Sequence, residues 1–242
     1  MSPRFLLLMA FWLCLCSSDT LLAQCTPKIA DDPVLLREIR DRLKAVDGRL
    51  AIVLRHTTKE TVKSGDFREM GGGCLCPREV LSEFGEKEAL LIGSVLTHLE
   101  AKIPRVLHSE FCRTKRTATL IFGEARIKAE EKLNLNCQTS CTGGVVQGCS
   151  DWLEKQLKPA ATATAKENVF LVTHSPNMAK LDIAGLSEHY GTAAVFSLSW
   201  PDNKRYLGCL LPEDWKKLID DAAKDHATLV PHRTPGLSPS FR

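Results

Sequence analysis

The chain contains no internal repeat and no low-complexity block beyond an Ala/Thr run at 160–165. It has no large excess of either charge: 32 Lys and Arg against 29 Asp and Glu leave a formal net charge of +3. That near balance argues against a partner held mainly by electrostatics, nucleic acid above all. The apolar run at the N-terminus falls short of the roughly 20 residues that a membrane-spanning helix needs. Cys74-x-Cys76 and Cys137-x3-Cys141 lack the C-x2-C spacing of structural zinc sites, and no matching His pair lies nearby. A cysteine-phosphatase loop, C-x5-R, is also missing around Cys112, because Arg113 follows it directly. What is present is ordinary for a folded protein: 44% hydrophobic and 25% charged residues in 242. Such proportions exclude a disordered, collagen-like or coiled-coil chain. The length suits one large α/β domain or two small ones.

The outlier is a count of 10 cysteines. The N-terminus accounts for two of them. Arg4 precedes an unbroken apolar run from Phe5 to Cys16, and small residues follow. A basic start, a short apolar stretch and small residues describe a secretory signal peptide. Cleavage after Ser18 or after Ala23 fits. A lipoprotein-type site, with a lipid anchor on Cys25, is a third option, although Gln24 is a poor residue before such a cysteine. The expected organisation is a signal peptide at 1–24, a folded domain at 25–230 and a tail at 231–242. The mature chain keeps eight cysteines, and an even number in an exported protein favours disulfides. Eight cysteines allow 105 pairings, so the connectivity stays open.

Periodicity then divides the chain. Pro33 opens an expected helix through Val46, with Leu35, Leu36, Ile39 and Leu43 at helical spacing. Arg49 to Leu54 is short and apolar, as a buried strand is. Thr57 to Arg78 reads as a polar, glycine-containing loop. Ser82 to Lys102 is helical, Arg105 to His108 a strand, Arg113 to Phe122 a helix and Ala125 to Glu130 a further short strand. A cysteine- and glycine-rich loop at 137–149 precedes a helix at 151–157 and the Ala/Thr linker. Asn168 to Thr173 is the second strong buried strand, followed by a short helix at 177–184. Strands at 193–199 and 206–211 flank a turn at Pro201-Asp202-Asn203, and a last helix spans 212–225. Alternating strands and helices imply a largely parallel sheet covered on both faces. Sites in such folds form at the C-terminal ends of the strands.

That geometry selects the residues that matter. Two buried strands each run into a His, giving Leu54-Arg55-His56 and Val172-Thr173-His174. A third gives Leu107-His108-Ser109, then Glu110-Phe111-Cys112-Arg113 at a helix start. If the three strands are parallel neighbours, Arg55, His56, Arg113 and His174 converge at one sheet edge. Two guanidiniums and two imidazoles suit a dianionic phosphate, whose oxygens match the paired donors of Arg. An imidazole beside bound phosphate can also attack it and form a covalent intermediate. Each piece alone is common in proteins; the combination carries the reading.

Four blocks, in order across residues 49 to 211, resemble the histidine phosphatase superfamily, also called phosphoglycerate-mutase-like. They are Ala51-Ile-Val-Leu-Arg-His56, Leu81-Ser-Glu-Phe-Gly85 with Glu88-Ala89, Val106-Leu-His-Ser109 through Arg113 to Thr117-Ala118, and Asn168-Val-Phe-Leu-Val-Thr-His174. The resemblance implies a three-layer αβα sandwich with a mostly parallel central sheet in a single domain. It implies His56 as the nucleophile, passing through a phosphohistidine that water hydrolyses. Arg55, Arg113 and His174 would bind the phosphoryl oxygens, and no metal or other cofactor would be needed. The chain departs from the family in having Thr57 after the Arg-His pair, where Gly or Ala is usual. A β-branched side chain there puts phosphate access in question. Lys59 resembles the Lys of exported members with an "R-H-x-x-K" start, some of which act on sugar phosphates of the bacterial envelope. It would add positive charge near the phosphate, or else be a solvated loop residue.

The general acid is the gap. The family often places a Glu shortly after the Arg113-type helix, but Leu135 stands where one is expected. Glu110, Glu131 and Glu69 are the substitutes, in that order. The expected function is an exported phosphomonoesterase acting on a phosphorylated small molecule or envelope component. The rivals are a non-catalytic descendant that binds phosphorylated ligands and an intramolecular phosphate-transfer mutase. The loop cysteines are expected to brace a cover over the site, and Cys112 to have a packing or disulfide role.

Overall fold

The computed structural model describes residues 26–61, 74–140, 144, 151–157, 167–183, 185–199 and 205–220. The expected signal peptide at 1–24, Cys25, Glu69, the Ala/Thr linker, the expected turn at 201–203 and the expected tail at 231–242 lie outside the described residues.

Helix α1 (Pro33–Lys44) opens with Pro33 and is capped by Asp32, whose carboxylate accepts from the amides of Val34 and Leu35. It ends two residues before the expected Val46. Strand β1 (Leu50–Arg55) is buried along its whole length. The expected loop that follows begins and ends in short strands, β2 (Lys59–Thr61) and β3 (Glu79–Leu81), which pair antiparallel. Ser82 then caps helix α2 (Glu83–His98) by accepting from the Gly85 amide at 3.1 Å. Strand β4 (Arg105–His108), helix α3 (Cys112–Phe122) and strand β5 (Ile127–Ala129) follow. Helix α4 (Trp152–Leu157) precedes strand β6 (Val169–Thr173). Helix α5 (Ser175–Ala179) starts directly after His174, earlier than the expected residue 177, because Pro176 suits a first helical turn. Strands β7 (Ala193–Ser197) and β8 (Arg205–Leu210) form a hairpin. The expected final helix opens as a 3-10 turn, Pro212–Lys216.

Six strands form one sheet in the order β5-β4-β6-β1-β7-β8. The first four are parallel, and β7 and β8 are antiparallel additions at the other edge. Leu50, Ile52, Leu54, Phe170 and Val172 pack into one core with α1, α2 and α3. The alternate residues Ala51, Val53, Val169 and Leu171 pack into a second core with α4 and α5. Both faces are therefore covered, which explains why these strands are continuously apolar rather than alternating. The result is a three-layer α/β domain.

Two side chains fix how the layers meet. Asn168 is buried at the start of β6; its Oδ1 accepts from the Leu50 amide, and its Nδ2 reaches the carbonyls of Arg42, Ala45 and Lys102. At the opposite end, a Cβ on Gly85 would sit 1.9 Å from the Thr58 carbonyl oxygen. Only glycine lets α2 approach the chain just past His56 so closely.

Candidate active site

Strands β1, β6 and β4 are adjacent and parallel, so their C-terminal ends lie along one edge. This places His56, His174 and Ser109 side by side. The His56 amide donates to Thr173 O at 3.0 Å, and the Ser109 amide to Val172 O at 3.0 Å.

His56 Nδ1 lies 2.9 Å from the Thr57 carbonyl, which can only accept, so Nδ1 carries the proton. Nε2 is then left with its lone pair. Arg113 Nε donates to that atom at 3.1 Å, in agreement with the assignment. Burial pushes the His56 pKa well below its ordinary value, and the charge of Arg113 pushes it further. Arg55 and Lys59 add to this, while the Thr57 carbonyl opposes it. The ring is therefore neutral and its nucleophilic nitrogen unprotonated, as a covalent route requires.

His174 stands 5.4 Å from His56 between ring centroids. Its Nε2 shares a 2.8 Å hydrogen bond with Ser109 Oγ, and its Nδ1 is buried without a hydrogen-bond partner among the described residues. Burial, then the proximity of His56 and Arg113, holds it neutral too. Asn134 braces this group: its Oδ1 accepts from Ser109 Oγ and the Glu110 amide. Asn177 in turn ties the carbonyls of Leu133 and Asn134 to Thr173.

Arg55 closes β1. It donates from Nη1 to Ser187 O at 2.8 Å, stacks 3.9 Å from the Tyr190 ring centroid and keeps Nε buried without a hydrogen-bond partner among the described residues. Arg113, in the first turn of α3, is 2% exposed and packs against Phe111. Besides His56 it meets Glu79 of β3, whose Oε2 forms an ion pair with Nη1. The other oxygen of Glu79 accepts from Lys59 at 2.6 Å. Burial works to raise the Glu79 pKa, but the hydrogen bond from Lys59 and the charges of Arg113 and Lys59 prevail, and the net shift is downward. A disulfide between Cys74 and Cys112 ties the segment leading into β3 to the start of α3. Leu75 reinforces it through backbone hydrogen bonds with Glu110 O and the Cys112 amide.

Thr57 is fully buried, with its hydroxyl 3.3 Å from that of Thr117 on α3. Its β-branched side chain fills the seam between strand and helix.

Arg55, His56, Arg113 and His174 thus share one site, with Lys59 one residue removed through Glu79. The two acid candidates lie elsewhere. Glu110 accepts from Asn134 Nδ2 at 2.9 Å and lines a separate cavity of about 280 Å³ with His108, Lys115 and Glu124. Glu131 is exposed at the start of a 3-10 turn. Sequence reasoning missed Glu79 and Tyr190. Neither sits in a motif block, and both reach the site through long-range packing. Tyr190 has its ring centroid 5.4 Å from that of His56 and lines a cavity of about 470 Å³ with Thr58, Phe84, Glu88 and Pro212.

The arrangement can hold a phosphoryl group between two guanidiniums, against a neutral imidazole whose unprotonated Nε2 accepts from Arg113. No protein-family model matches the chain, and no curated protein does. Among solved structures it is similar to the protein histidine phosphatase SixA complexed with tungstate, at 18% identity over 68% of this chain and 98% of that one, with a TM-score of 0.47. It is also similar to a phosphoserine phosphatase variant from Entamoeba histolytica, bound to phosphoserine, at 12% identity over 68% and 98% of the chains and a TM-score of 0.45. A third is the alpha-ribazole phosphatase from Shigella flexneri, at 15% identity over 64% and 94% and a TM-score of 0.42. All three scores lie under 0.5, so function is read from the site's own side chains.

Proposed function

We propose that the chain is an exported phosphoric monoester hydrolase of the histidine phosphatase superfamily, working through a phosphohistidine at His56. The observation that carries this reading is the state of His56: Nδ1–H is fixed on the Thr57 carbonyl and Nε2 is unprotonated beside Arg113. The buried Arg55 Nε, without a hydrogen-bond partner among the described residues, adds a donor that a phosphoryl oxygen would satisfy. Nε2 attacks phosphorus, the ester oxygen departs, and water then attacks the phosphohistidine to release phosphate. Charge spreading onto the phosphoryl oxygens in each transition state is met by fixed cations in a buried site, where such donors act most strongly. The N-terminal apolar run and the Cys74–Cys112 disulfide support an oxidising compartment outside the cytoplasm. A sugar phosphate of the cell envelope fits this placement.

Quenching the mature protein in alkaline detergent, where a P–N bond survives, after mixing with phosphorus-labelled 4-nitrophenyl phosphate tests the reading. Label is expected on His56, with His56→Ala losing it and losing turnover by about 1,000-fold or more. Tight phosphate binding with no label and no turnover would instead establish the non-catalytic reading.

A further inference from the structure

We infer that Glu79 is the acid that protonates the leaving group, an assignment that rests on the phosphatase reading of the same site. Expelling an alkoxide demands a proton donor within hydrogen-bond reach of the ester oxygen. Among the described residues, Glu79 is the carboxylate in contact with the Arg113–His56 pair. Glu110 is instead held by Asn134 and faces another cavity. Arg113 is 2% exposed and the Glu79 side chain 33%, so the carboxylate is the more solvent-accessible partner of the pair. The Cys74–Cys112 disulfide and the β2–β3 pairing hold it there.

Glu79 pairs with both Arg113 and Lys59. A bound phosphoryl group competes for both cations and sets its own negative charge beside the carboxylate. Each change favours the protonated carboxyl, and a monoanionic ester supplies the proton, becoming the dianion. Nε2 of His56 then donates its electron pair to phosphorus, and the P–O ester bond breaks with its pair passing to oxygen. That oxygen takes the proton of Glu79. In the second half, water adds to phosphorus, its proton returns to Glu79, and the P–N bond breaks with its pair returning to Nε2.

The test is leaving-group dependence. Glu79→Gln keeps the size of the side chain but replaces one of its two accepting oxygens and has no acidic proton to give. The ratio of kcat/KM for 4-nitrophenyl phosphate to that for glycerol 2-phosphate is expected to rise about 100-fold or more in this variant. Glu79→Asp, which keeps an acid, should restore most of the alkyl ester activity. Label on His56 from the aryl ester should persist in Glu79→Gln. An equal loss for both esters, or no change for either, overturns the assignment and leaves the phosphohistidine reading intact. Failure of the wild-type protein to label His56 removes that reading itself.

Discussion

His56 and His174 are buried imidazoles held neutral in the folded protein and free to protonate in the unfolded chain. Their pKa values are lowered from an ordinary value of about 6.5. Between the lowered values and that value, the unfolded state binds more protons, so stability falls as pH falls. Above about pH 6.5 the contribution is complete. The urea midpoint of the wild-type protein is therefore expected to drop between pH 7 and pH 5, and His56→Ala to flatten the slope. A wild-type midpoint that stays level over that range would contradict the assigned charge state. At this scale the sequence displayed the residues that end strands, because strand termini are visible in the apolar runs before them. It did not display Glu79, whose contact with Arg113 depends on a disulfide-tied hairpin. Nor did it display Tyr190, which reaches Arg55 from the far side of the domain sequence.

Among elements, the four motif blocks turn out to hold structural as well as chemical residues. Leu81 is buried, Ser82 caps α2, Gly85 admits the Thr58 backbone, and Glu88 accepts from the Thr58 amide and hydroxyl. The segment thus fixes the chain just beyond His56. Asn168 does the same at the other end of the sheet. Asn168→Ala would leave the buried Leu50 amide and several carbonyls without their side-chain partner. A loss of about 3 kcal/mol is expected in urea unfolding, from several abandoned hydrogen bonds at about 1 kcal/mol or more each. Long apolar strands and amphipathic helices were legible from periodicity. Strands β2 and β3 were not, since three polar-flanked residues carry no period. Helix α5 was placed late because its start is set by Pro176 and not by an apolar repeat.

For the whole molecule, the strand order joins segments distant in sequence into one site. Cross-links complete it: besides Cys74–Cys112, residues Cys76, Cys137 and Cys209 are disulfide-bonded. Replacing Cys74 and Cys112 together by Ser opens a loop with a sequence separation of 38 and should cost about 4 kcal/mol, read from the shift in the denaturant midpoint. The two-domain option left open by chain length is closed by the sheet itself, whose central strands β1 and β6 come from opposite halves of the chain. That pairing also sets the timing of activity. The contact between Leu50 and Asn168 spans 118 residues, and such non-local pairings form late and slowly. His56 and Arg113 precede His174 and Tyr190 in the chain, so the surroundings of His56 exist only once the last third has docked. A chain cut short before that third would carry His56 with no pocket around it.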